Sequence, residues 1–412
     1  MEDILTCTMG LDVHRDVIVA CLIKGELNQK PEVEIRNFST LRPDMENLKK
    51  WVLEQECKNV AMESTGIYWQ PIYEILEDCF DEEINILVVN ARHMKNVPGK
   101  KTDMRDSQWI ATLLRAGLLR GSFIPAKSFR ELRHLTRYRK SIVRDITSQK
   151  NRIDKLLQSS GFRLSAFISD VFGATGRNII RHLFTHGSIT KEELDKCLRT
   201  KTRAKIDQIL TAVNGSLSKH QQDFLRLMFE HLEQIEAHKK VIEASIDNEI
   251  ATHSEALALL CSIPGIDVTA ASAIIAEIGT NMEFFPSSQH ICSWAGLSPG
   301  NNESAGKRKS CHITKGNPYL KSMLCEIAWV IAGKRNTYLA NWYWRLKSQK
   351  GAKRATIALA RKILVVIFNM LKNLVPYDDS TYETLRLKCQ KRKTDRFISE
   401  LTKLGYQVVA PC

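Results

Sequence analysis

The chain has 412 residues, 43% of them hydrophobic and 26% charged, proportions that exclude a disordered or fibrous protein and ask for two or three globular domains. Its 60 Lys and Arg against 46 Asp and Glu leave a formal charge of +14, which favours a polyanionic partner, either nucleic acid or an anionic membrane surface. The acidic start Met1-Glu2-Asp3 is not that of a secretory signal, and apolar runs such as 363–368 are too short to span a bilayer. Eleven cysteines, with no Cys-x-x-Cys spacing, read as reduced and mostly buried thiols of a cytosolic protein. There is no internal repeat.

Residues 4–12 read as a buried strand ending on Asp12, 16–23 as a second strand after a short turn, and 33–40 as a third. A helix follows over about 42–56, with Met45, Leu48, Trp51, Val52 and Leu53 as its apolar stripe. A strand at 59–63, a helix near 68–79, a strand at 84–89 and a helix from 103 to about 119 complete the amino-terminal third. The order β-β-β-α-β-α-β-loop-α predicts an α/β sandwich in which later strands add to a meander through crossovers.

The chemistry of this region lies in its acids. Thr102 is a plausible N-cap, which puts Asp103 and Asp106 three residues apart on one face of the following helix. Like charges so close repel unless a cation or a basic partner lies between them, although acids also favour helix N-termini through the macrodipole alone. Asp12 and Glu63 end the first and fourth strands, and they become neighbours if those strands pair. Four such carboxylates are able to bridge hard divalent ions for in-line phosphoryl displacement.

From about 129 to 161 the chain is helical and basic. Leu132, Leu135, Ile142, Ile146, Ile153 and Leu156 keep a three-to-four spacing, with Arg139 and Gln149 at seam positions. Arg133, Arg137, Lys140 and Arg144 are among the cations decorating the rest, a candidate phosphate-tracking face or a solvated one. Short helices with turns at Gly173, Gly187 and Gly215 fill 162–215. A second heptad-like stripe, Leu225, Met228, Leu232, Ile235, Ile242 and Ile246, is interrupted by Lys239, and the two helices pair within the chain or between protomers.

The turn Ile263-Pro264-Gly265-Ile266-Asp267 resembles a helix-hairpin-helix, but Asp267 stands where a second glycine is usual and an acid there opposes a phosphate. Residues 294–309 are rich in Gly and Asn and predict a loop. Within it Ser304 is followed by Ala305, Gly306 and the cations Lys307, Arg308 and Lys309, with Lys315 beyond. A serine hydroxyl needs a base or a metal to become a nucleophile, and neighbouring cations stabilise charge on an attacked phosphate. The ordinary alternative is a turn serine. Helices over 318–332 and 356–371 enclose an apolar core, with Trp329, Trp342 and Trp344 read mainly as core residues and secondarily as base-stacking ones. The charge run 388–396 reads as a solvated or disordered extension.

Three segments, Gly10-Leu11-Asp12-Val13-His14, Met62-Glu63-Ser64-Thr65-Gly66-Ile67-Tyr68 and Lys101-Thr102-Asp103-Met104-Arg105-Asp106, closely resemble the amino-terminal domain of the insertion sequence 110 family of transposases. Ala295-Gly296-Leu297-Ser298-Pro299, Glu303-Ser304-Ala305-Gly306 and Lys315-Gly316-Asn317 resemble its second domain, with Ala305 where glycine commonly follows the serine. The resemblance implies an RNase H/RuvC-like α/β domain over 1–125, a helical coiled-coil arm over 126–252, a mostly α-helical transposase domain over 253–385 and a basic tail over 386–412. It implies that Asp12, Glu63, Asp103 and Asp106 hold Mg²⁺ and that Ser304 is the nucleophile that joins covalently to DNA. Lys100, Lys101, Lys307, Arg308, Lys309 and Lys315 join Arg133, Arg137, Lys140 and Arg144 as expected nucleic-acid contacts. Donor and target DNA, a bridge RNA and a homo-oligomer, dimer or tetramer, are the implied partners of a bacterial or archaeal cytosolic, nucleoid-associated protein. The alternative is a structure-specific, metal-dependent endonuclease that uses water.

Overall fold

A computed structural model of the chain describes all residues except 1–3, 28, 65, 79–83, 91–102, 301, 305–306, 311–312, 314, 335–336, 404 and 406–412. At 103–105, 200–201, 302–304, 307–310, 380–386 and 388–389 the description is of the backbone. The chain divides into two compact units, Met1–Ile124 and Pro125–Cys412.

The first unit is a mixed sheet between helices. Its strands are β1 (Cys7–Val13), β2 (Val17–Lys24), β3 (Glu32–Ser39), β4 (Asn59–Glu63) and β5 (Asn85–Val89), in the spatial order β3-β2-β1-β4-β5. The meander β1-β2-β3 is antiparallel, whereas β4 joins β1 and β5 joins β4 in parallel. Because side chains alternate along a strand, the central strands are apolar on both faces. Met9, Leu11, Val13, Val60 and Met62 pack with Leu48 and Trp51 of helix α1 (Arg42–Glu54) and Ile72 and Leu76 of helix α2 (Trp69–Glu77). Cys21, Ile23 and Ala61 instead meet Ala111, Ile110 and Leu114 of helix α3 (Asp103–Arg115). The edge strand β3 is largely exposed and carries Glu32, Glu34 and Arg36, charges that discourage pairing with another edge.

One close approach fixes α3 on the sheet. A Cβ on Gly10, in the middle of β1, would lie 2.2 Å from the carbonyl oxygen of Ser107 and 2.4 Å from the amide nitrogen of Ala111. Only a residue without a side chain lets the helix backbone come this near. Helix α3 ends at Arg115 rather than near 119, where Gly117, at φ 64°, turns the chain back. The N-cap expected at Thr102 lies outside the described residues.

Among its described residues the second unit is helical apart from one hairpin. Helices α4 (Lys127–Ser159) and α9 (Lys219–Ile250) run antiparallel, since Gln149 Nε2 donates to the Met228 carbonyl and Arg139 bonds Glu243. Their seam therefore closes within the chain, through Ile142, Ile146, Ile153, Leu225, Phe229 and Leu232. The seam polar groups find partners: Gln149 is 4% exposed and hydrogen-bonded, and Lys239 pairs with Glu243 one turn on. Between them α5 (Ala174–His186), α6 (Lys191–Cys197) and α8 (Ile206–Ala212) build a helical cap on the same core, with the short α7 (Thr200–Arg203) linking α6 to α8. After α9 come α10 (Ser254–Cys261), α11 (Val268–Ile278), α12 (Ser288–Trp294), the hairpin β6 (Asn302–Ser304) and β7 (Lys307–Ser310), then α13 (Pro318–Gly333), α14 (Tyr338–Lys350), α15 (Ala352–Asn373) and α16 (Ser380–Lys403).

Three of the expected features take definite form here. The charge run at 388–396 is exposed over 390–396, as its solvated reading has it, but it is ordered within the helix α16, because its Lys, Arg and Gln are good helix formers and Arg396 pairs with Glu400 at i,i+4. Asp267 caps α11 by accepting from the Ala270 amide at 2.8 Å, so its carboxylate already occupies the place an anion would take. Trp329 and Trp344 are 62% and 51% exposed rather than in the core, which uses the stripe Leu320, Leu324, Ile327 and Ile331 of α13. Among the described residues no helix is long and apolar enough to cross a membrane, and Cys7, Cys21, Cys57, Cys197, Cys261, Cys292 and Cys325 are free thiols.

Replacing Gly10 with alanine forces a methyl group into the α3 backbone and is expected to destabilise the fold by about 1–3 kcal/mol, the usual range for overpacking. Urea unfolding midpoints of the Gly10→Ala and parent chains measure this.

Candidate active site

Three of the four acids predicted from sequence, Asp12, Glu63 and Asp106, gather at one end of the sheet. Leu11 of β1 pairs with Met62 of β4, so the next residues along the parallel pair are Asp12 and Glu63. Asp106 stands on α3, one residue before Ser107, whose carbonyl rests against Gly10. Asp12 is 8% exposed, whereas Glu63 and Asp106 are half-buried. Asp103 opens α3, and its side chain, with Lys100 and Lys101, lies outside the description.

Burial pushes the Asp12 carboxyl above its ordinary pKa; His14 opposes this, while the negative charges of Asp106 and Glu63 add to it. The three described carboxylates thus share one electrostatic neighbourhood, although they form no group of three close enough to hold an ion among the described residues. His14 Nε2 lies 3.1 Å from Asp12 Oδ2 and is largely exposed. His14 stood in the sequence motif without a role, and the structure gives it one as the partner of Asp12. A set of carboxylate oxygens that repel one another has the donor chemistry of a hard divalent cation such as Mg²⁺.

The second set of predicted residues lies on the hairpin of the other unit. Ser304 is paired across the ladder with Lys307, and Glu303 with Arg308. The segment expected as a loop therefore has strand pairing around the serine. Its base is tied by a bridge between Pro299 and Ile313 and by the Asn317 amide donating to the Trp294 carbonyl at 3.1 Å. Lys315 is exposed just outside this base.

The basic residues of α4 divide. Arg144 is exposed. Arg137 makes a bidentate pair with Glu277 of α11, Nε at 2.7 Å and Nη2 at 2.9 Å. Arg133 bonds the same carboxylate at 3.1 Å and the carbonyls of Ala276 and Glu277. Burial lowers the Arg133 pKa to about 10, opposed by Glu277 and assisted by Arg137 and Arg130. Lys140 bonds Ser322 and Glu326 of α13. These three side chains tie helices together, where the sequence suggested a face turned to phosphate. Their acid partners sit on helices distant in sequence, so spacing along α4 carried no sign of them. Glu277, 3% exposed, was missed within an otherwise Ala/Ile-rich stretch; a lone acid in such a stretch was the available signal.

A DEDD-type IS110 transposase family matches residues 9–161, and a second family, described as Transposase IS116/IS110/IS902 family, matches residues 257–345. The chain belongs to the IS110 family of transposases. The first segment holds Asp12, Glu63, Asp103 and Asp106, and the second holds Ser304. The chain is similar to the putative transposase y4qE of Sinorhizobium fredii, 22% identical over 361 residues that cover 84% of this chain and 76% of that one. It is 28% identical to the pilin gene-inverting protein of Moraxella bovis over 129 residues, 30% of this chain and 39% of that protein. With an uncharacterized 43.6 kDa protein of the insertion element IS110 of Streptomyces coelicolor it shares 26% identity over 149 residues, 36% of each chain. IS110-type membership makes the protein a transposase/recombinase, of a family that implies DNA cleavage and rejoining.

An acid whose pKa is raised in the folded state binds its proton more tightly there. Its stabilising contribution is full below the ordinary carboxylate pKa of about 4 and is lost as pH rises through the raised value. In the absence of divalent cations, Asp12→Asn is therefore expected to raise the thermal midpoint at neutral pH, with the gain vanishing below about pH 4. Thermal scans of both proteins in EDTA from acid to neutral pH check the sign.

Proposed function

We propose that this IS110-type transposase cuts and rejoins DNA through a covalent phosphoserine intermediate at Ser304, with Asp12, Glu63, Asp103 and Asp106 holding Mg²⁺. The observation that carries the reading is the meeting of Asp12, Glu63 and Asp106 at one sheet end in a mutually repulsive field. We assign the sheet, with its order β3-β2-β1-β4-β5, to the RNase H/RuvC type. A divalent cation bound by the acids supplies Lewis-acid polarisation of a phosphate oxygen.

The protein's own chemistry follows from the serine. Its Oγ attacks phosphorus, the Oγ–P bond forms and the P–O3′ bond breaks. The hydroxyl proton passes to a base, and the departing 3′ oxygen is protonated. The product is a 5′-phosphoserine link and a free 3′-hydroxyl, and attack by a partner strand's 3′-hydroxyl on that link releases the serine. Each step exchanges one phosphate ester for another, so rejoining needs no nucleoside triphosphate. Lys307, Arg308 and Lys309 neutralise the phosphate, and Lys100, Lys101, Arg144 and Lys315 contact the backbone of bound nucleic acid. Each strand broken needs its own serine, so exchange between donor and target requires a dimer or a tetramer. Sequence choice is delegated to a bridge RNA that pairs with donor and target, which leaves the protein to read shape and backbone.

The test incubates the full chain and Mg²⁺ with a supercoiled plasmid carrying its gene and flanking DNA, together with RNA transcribed from those flanks. The expected result is a denaturation-resistant protein–DNA species, absent from Ser304→Ala and from Asp12→Ala while both variants still bind DNA. Cleaved DNA without that species would establish the hydrolytic endonuclease instead.

A further inference from the structure

We propose that Glu277 is a positioning residue for the Ser304 hairpin, acting through Asn317, an inference that rests on the serine reading above. Glu277 lies in the last turn of α11, where the helix dipole disfavours an anion, and it is 3% exposed. Its carboxylate is paired with Arg133 and Arg137 of α4. The same carboxylate accepts from Asn317 Nδ2 at 2.6 Å.

Asn317 is the hinge pin of the hairpin's base. Its Oδ1 caps α13, accepting from the amides of Tyr319 and Leu320, and its own amide donates to the Trp294 carbonyl. The preceding residue leaves no slack, because a Cβ on Gly316 would lie 2.2 Å from the Gly296 amide and 2.4 Å from the Trp294 carbonyl oxygen. One side-chain amide thus faces two ways. Its oxygen starts a helix, and its nitrogen ties the returning leg of the 295–317 excursion to a buried carboxylate anchored on α4. A nucleophile on such an excursion is only as well aimed as its base is fixed, and small displacements cost large factors in rate.

Reciprocal exchange tests this. Asp is as good an N-cap as Asn, so Asn317→Asp keeps the cap while setting a carboxylate against Glu277. Glu277→Gln removes the charge and keeps the shape. The double variant restores one amide-to-carboxylate hydrogen bond with donor and acceptor swapped. Three readouts are taken on the full chain: hydrogen exchange of peptides covering 294–317 and 352–373, the affinity for DNA, and the rate of Ser304–DNA adduct formation at saturating DNA.

Each single variant is expected to exchange faster in 294–317 only and to form adduct about tenfold or more slowly, with DNA affinity within about threefold of the parent. The double variant is expected to recover most of both losses, as coupled residues do. Single variants indistinguishable from the parent, a double variant no better than the worse single, or exchange rising equally in 352–373 would overturn the proposal. If the parent forms no adduct at Ser304, the serine reading falls and the positioning role with it, whereas the exchange data still decide whether Glu277 anchors the segment.

Discussion

The amino-terminal unit depends on a contact in which a side chain is missing. At Gly10 the backbone of α3 comes against the middle of β1, nearer than any residue with a Cβ allows. That approach carries Asp106 into the field of Asp12, while strand pairing brings Glu63 alongside. Apolar burial on both faces of the central strands provides the stabilisation against which this crowding of acids is held. The carboxylates repel, and the fold contains them. A site kept under such electrostatic tension gains by taking up a cation, which is why its donor set is read as functional rather than as a surface accident.

The second unit shows the opposite economy of charge. Its buried acid, Glu277, is matched by two guanidiniums and an amide. Breaking such a cluster by removing one partner leaves an uncompensated buried charge, so its members are bound to one another structurally. The cluster joins three helices, α4, α11 and α13, at the root of the hairpin that carries Ser304. A long arm packed through its own seam therefore ends on the same residues that hold the hairpin's base.

Much of the first unit was legible in the sequence because its signals are local. Strand runs such as Val17-Ile18-Val19-Ala20-Cys21, the stripe on α1 and the placing of acids at strand ends follow from periodicity and from the few ways a strand can join a sheet. The seams of α4 and α9 were legible for the same reason, but their pairing within one chain was not, since an apolar stripe does not name its partner. The reading of Arg133, Arg137 and Lys140 as a phosphate face met a different limit. Whether a cation faces solvent depends on what packs over it, and Glu277 and Glu326 reach them from more than a hundred residues along the chain. Trp329 shows the same limit in reverse: its type suggested core, and its angular position on α13 leaves it outside.

Manganese binding to the full chain, followed by electron paramagnetic resonance, reports most directly on the convergence of these acids. The account predicts that the intact protein takes up Mn²⁺ and that Asp12→Asn, Glu63→Gln and Asp106→Asn each weaken the binding by roughly tenfold or more. Three variants that bind the ion as tightly as the parent, and in equal amount, would contradict it.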